Sequence, residues 1–192
     1  MVVKIVGLIL SFSLTLLDTV ASAQVVVPPV PANLNVPSGQ PFLLAKAEGT
    51  QNYVCVSSSS SFAWAFYGPQ ATLFDPASEL QLITHFLSPN PAEDGTPRAT
   101  WQHSGDTSAV WAAAIASSTD PGYVAPGAIP WLLLQVKGTA EGPTGGDALG
   151  GTLYIQRVNT AGGAAPVTGC RNAKDVGKKA LVPYTTDYVF YR

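Results

Sequence analysis

The chain has 192 residues, of which only 11% are charged, with 10 Lys and Arg against 12 Asp and Glu for a net charge of −2. Charge this sparse and balanced excludes the clustered basic face that nucleic-acid binding requires, so no nucleic-acid partner is expected. The length, with 46% apolar residues, suits one domain with a sizeable core.

The N-terminus reads as an export signal. Lys4 makes a positive start, residues 5–17 form an apolar run, and Ala21-Ser22-Ala23 supplies the small-x-small cleavage pattern. Residues 1–23 are therefore expected to be a signal peptide, and the mature chain to be secreted, either extracellular or periplasmic. The apolar run is too short to cross roughly 30 Å of hydrocarbon as a helix, and no later stretch is longer, so no membrane span is expected. Residues 24–41 carry five prolines. Proline fixes φ and cannot donate to a ladder, so this segment should be an extended arm or an edge strand.

Residues 42–192 read as one all-β domain. Nine short runs rich in Val, Tyr, Trp and Phe follow one another: "FLLAKAEG", "TQNYVCV", "FAWAFYG", "LQLITHF", "ATWQHS", "AVWAAAIAS", "IPWLLLQVKG", "GTLYIQRV" and "DYVFYR". Turn segments such as "SPNPAEDGTPR", "STDPGYVAPG" and "AGGAAPVTG" separate them. The alanine-rich "SAVWAAAIASS" has helix propensity, but its shortness and flanking turns favour a strand. This pattern predicts a β-sandwich, with a β-barrel as the alternative. Residues 138–151 hold six glycines without the spacing of a phosphate loop, so they are expected to form a loose, solvent-facing hairpin connection. The two cysteines, Cys55 and Cys170, are expected to pair in an oxidising compartment.

Residues that could carry chemistry are few. There is no G-x-S-x-G elbow, and Ser104 lies between His103 and Asp106 as a sequence neighbour, which is not how a triad is assembled. Glu93 and Asp94 are adjacent and cannot flank a sugar. His85, His103 and Asp106 would make a thin ligand set, so no metal and no cofactor are expected. Alternation places His85 with Gln81 and Ile83, opposite the apolar Leu80, Leu82 and Phe86, and so on a half-exposed face. It places His103 with Trp101, the latter as a core anchor, and makes residues 104–107 a turn capped by Asp106 with a new strand starting near Ala109. The candidate binding residues are thus His85, Trp101, His103 and Asp106.

Several of these runs resemble a known family, the exported bacterial and fungal group described as domain of unknown function 3455. The resemblance rests on "GTQNYVCV", "THFLSP", "ATWQHSGDTSAVWA", "IPWLLLQVKG", "LYIQRVNTAGGAAP", the Gly169-Cys170 pair and "VPYTTDYVFY". It implies an export signal, a cysteine pair and an all-β fold, with no established activity. Some members carry a malate dehydrogenase label, which this chain does not support, because it has neither a dinucleotide fingerprint nor alternating βα units. Gln102 replaces the carboxylate usual after the tryptophan, Arg171 and Asn172 replace acidic and alanine residues, and His103 has no counterpart, whereas His85 matches. The expectation is a binding or surface-interaction module whose partner is a small molecule, a carbohydrate or another surface. The alternatives are a secreted hydrolase working through His85, Trp101 and Asp106, and a structural envelope or cell-wall component.

Overall fold

Aromatic and β-branched runs cut by Gly, Pro and Asn become eight strands: β1 (Pro41–Ser57), β2 (Phe62–Phe74), β3 (Gln81–Asn90), β4 (Thr96–His103), β5 (Ala109–Ser118), β6 (Trp131–Ala140), β7 (Tyr154–Gly162) and β8 (Lys179–Tyr191). A computed structural model describes residues 25–192; the expected signal peptide and its cleavage point lie outside the described residues. Each strand pairs antiparallel with the next, and β8 returns to pair with β1 over Pro41–Val54, so the sheet closes into a barrel. Of the two architectures expected, the barrel forms, because this last pairing leaves no free edge to stack as a sandwich. Eight strands rather than nine arise because "FLLAKAEG" and "TQNYVCV" fuse into the continuous β1. The alanine-rich run is a strand, β5.

One end of the barrel is packed shut. Ala45, Leu73, Ile83, Val110, Ile155 and Phe190 are fully buried there, and Leu149 joins them from the β6–β7 connection. Most of that connection is solvent-facing, as expected, but Gly142 and Leu149 are buried and side chains of the β4–β5 turn hold its backbone. Asp106 Oδ2 accepts from Ala148 N–H at 2.7 Å, and Ser108 Oγ accepts from Leu149 N–H at 3.2 Å. The glycines permit this close approach: a β-carbon at Gly142 would run into the Asp106 carbonyl oxygen, and one at Gly146 into its side chain. Here glycine serves contact rather than looseness.

The outer surface carries a second core. The proline-rich arm lies across β5–β8, where Leu34 is 0% exposed and packs with Trp131, Leu133, Val158, Val189 and Tyr191. Gln156 Nε2 donates to Leu34 O at 2.8 Å, and Asn33 Nδ2 to Ser117 O at 2.9 Å. Backbone bonds between Gln40 and Arg192 then tie the arm to the chain's last residue. Cys55 and Cys170 form a disulfide, Cα atoms 5.5 Å apart, which pins the long β7–β8 connection to β1. Leu34→Ala, although outside the barrel, should therefore cost about 2–5 kcal/mol, as core leucine truncations do. Urea unfolding checks this, and a loss within the surface range of about 0.5 kcal/mol would mean the arm is not part of the fold.

Candidate functional site

The inward-facing residues of β3, β4 and β8 build an aromatic floor halfway along the barrel. His85 pairs across the ladder with Trp101, and the two rings stack at 4.2 Å with 16° between their planes. Tyr188 sets its edge against both, 5.2 Å from His85 and 5.4 Å from Trp101. Trp101 and His85 are 1% and 2% exposed. His85 was expected on a half-exposed face, and the structure corrects this: Ile83 and His85 are buried inside the barrel, while Leu82 and Phe86 are half-buried and Leu80 is exposed. A buried imidazole is tolerated because its Nδ1–H donates to Thr100 O at 2.8 Å and its ring face is covered by Trp101. That bond fixes the tautomer and leaves Nε2 as the ring's acceptor.

Beyond this floor the barrel is not filled. A cavity of about 200 Å³ lies against His85, Trp101 and Tyr188. Ala99, Ala112 and Ala114 form one wall and Leu132 and Leu134 the next. The alanines are the cause, since Ala99 and Ala112 are directly paired across β4 and β5, where larger residues would close the space. Phe66, 55% exposed, and Leu87, 43% exposed, stand at the mouth with Pro69. The β1–β2 register slips there: Asn52 pairs with Gly68 and Tyr53 with Phe66, so Tyr67 bulges out of the ladder. Bulges at barrel rims re-aim side chains, and this one places Phe66 against the opening.

Polar groups in the cavity are sparse. Gln51 Nε2 and Trp101 Nε1 are buried without a hydrogen-bond partner. Arg157 contributes the one side chain with a fixed charge; Nε and Nη2 both donate to Pro130 O, at 3.2 and 2.8 Å. Sequence reading missed Arg157 and Gln51. Arg157 lies in step with the inward Ile155, but Gln156 and Val158 on the other face of β7 are buried too, under the arm, so alternation marked neither face as interior.

His103 and Asp106 come together elsewhere, at the packed end. His103 Nδ1–H donates to Asp106 Oδ1 at 2.9 Å, and Ser108 donates to the same oxygen from N–H and Oγ–H, at 3.0 and 2.7 Å. Burial opposes the charge on Asp106, but the donors from Ala148, Ser108 and His103 outweigh it and hold the carboxyl well below the usual carboxylate range. The expected turn is present, with β4 ending at His103 and β5 starting at Ala109. Asp106 is a fastener for that turn and for the glycine-rich connection, and neither it nor His103 lines the cavity. Among the described residues no group of three or more His, Cys, Asp or Glu could hold a metal ion.

The family model described as "Protein of unknown function (DUF3455)" matches residues 37–192, the whole barrel from just ahead of β1 to the last residue. The chain belongs to this family. No curated protein and no solved structure matches it. Among the described residues no helix is long and apolar enough to cross a membrane. The family match takes in the floor, the alanine wall and Arg157, and leaves out the arm at residues 25–36.

Burial holds the His85 pKa down at about 3, against the raising effect of the Thr100 carbonyl, and the Arg157 charge lowers it further. A folded pKa below the ordinary 6.5 means that the unfolded chain takes up a proton which the folded ring refuses. The stability involved is complete above about pH 6.5 and is lost as the pH falls from there toward about 3. Wild type should therefore lose about 2 kcal/mol more than His85→Phe between about pH 7 and pH 5. Urea unfolding across that range reads the difference; equal losses would mean that His85 protonates as readily folded as unfolded.

Proposed function

We propose that this protein is an exported binding module that holds one small, largely apolar molecule inside its barrel. The observation that carries the reading is the cavity itself, a mostly apolar space with two unpartnered buried polar groups among its lining residues. An eight-stranded barrel is at the size where side chains can just fill the interior or where one small ligand can fit. This barrel fills one half with Leu, Ile and Phe and leaves alanines in the other. Binding sites are typically apolar pockets with a few placed polar groups. The disulfide supports export, since such bonds persist in oxidising compartments.

A hydrolase would need a nucleophile or an acid beside the general base. No Ser, Thr, Cys or carboxylate lines the cavity, and Asp106 is engaged at the packed end. This lining favours binding over hydrolysis.

The test is an NMR titration with benzyl alcohol, a neutral single-ring probe, following the Trp101 indole N–H. Saturable shifts are expected in wild type. In Ala112→Leu, which fills the wall opposite the floor, the Kd should rise about tenfold or more, equivalent to about 1.4 kcal/mol. No saturable shift in wild type, or equal binding in the filled variant with its fold intact, would remove the cavity as the binding site.

A further inference from the structure

We infer that the ligand is a small aromatic carboxylate, with its carboxylate on Arg157 and its ring above the His85–Trp101 floor; this rests on the barrel-pocket reading. The argument starts from Arg157. It lies on β7, paired with Leu132 on one side and Tyr188 on the other, which turns it into the barrel beside the floor. None of the ion pairs among the described residues includes it. Its two bonds to Pro130 O fix the guanidinium, and the Tyr188 hydroxyl beside it brings no charge to balance it. A guanidinium held in a partly buried, apolar cavity without a counter-charge is poorly compensated, and a carboxylate is the planar group that matches its fork of donors.

Gln51 Nε2 and Trp101 Nε1, buried beside Arg157 without an acceptor, do not oppose a negative charge in the cavity. His85 is held neutral by burial and presents no competing cation. Size limits the rest of the molecule. A cavity of about 200 Å³ is comparable to an apolar void of about 150 Å³ that accepts benzene, so one ring with a short acid group fits. The stacked floor and the exposed Phe66 at the mouth supply aromatic faces for that ring.

Benzoate and benzyl alcohol differ chiefly in the charge, and their comparison is the test. By the same NMR titration near neutral pH, benzoate should bind wild type about tenfold or more tightly than benzyl alcohol, as a charge-assisted pair worth about 1.5–3 kcal/mol implies. Arg157→Gln, with an unchanged near-ultraviolet circular dichroism spectrum as the control for an intact fold, should lose that preference, and Arg157→Lys should keep part of it. If wild type binds benzyl alcohol but holds benzoate no tighter, the inference is overturned and the pocket reading stands. An unchanged preference in Arg157→Gln also overturns it. If neither probe binds, both fall together.

Discussion

The stack of His85 on Trp101, with Tyr188 edge-on to both, is the contact from which the rest of the molecule follows. Three large rings from three strands meet at one level of a barrel whose eight strands leave little interior width. Below them the space closes around Phe190, Ile83 and Leu149. Above them the lining changes to Ala99, Ala112 and Ala114, and a cavity remains. The floor is rigid because His85 is tied to the Thr100 carbonyl and each ring lies against another. Anything bound above therefore meets a fixed aromatic surface rather than an adaptable one, which lowers the ordering cost of binding.

A barrel with a hollow half needs stabilisation from elsewhere, and the structure supplies it on the outside. The arm buries Leu34 against β6–β8, so these strands are covered on both faces. The disulfide secures the β7–β8 connection at the open end, while Asp106 secures the glycine-rich connection at the closed end. Trp64 Nε1 donates to Thr168 O, which adds a second tie beside the disulfide. These fasteners sit away from the cavity, so the mouth at Phe66 and Leu87 stays free of them.

Much of this was legible in the sequence, because it depends on local chemistry. The strands followed from β-branched and aromatic runs, the turn at residues 104–107 from Asp106, and the disulfide from the cysteine count. What was not legible depends on partners distant in the chain. Closure into a barrel rests on the pairing of β1 with β8, which no local pattern encodes. His85 looked half-exposed because a lone polar residue beside Leu82 and Phe86 suggests a wet face; only Trp101 and Thr100, on another strand, make its burial affordable. The glycine-rich run at residues 138–151 looked loose because composition does not reveal that Leu149 plugs the barrel or that Asp106 waits for its backbone. Arg157 was hidden for a further reason: with the arm on one side and the barrel on the other, β7 has no solvent face to set the phase of its alternation.

The account depends on one division, a packed half below the aromatic floor and a cavity above it. A crystal of the protein held under xenon pressure tests it directly, since xenon enters apolar cavities large enough to take it. A xenon peak bounded by Trp101, Ala99, Ala112 and Leu134, with none among Leu73, Ile83 and Leu149, is the expected result. Xenon below the floor, or side chains of the protein filling the space above it, would contradict the account.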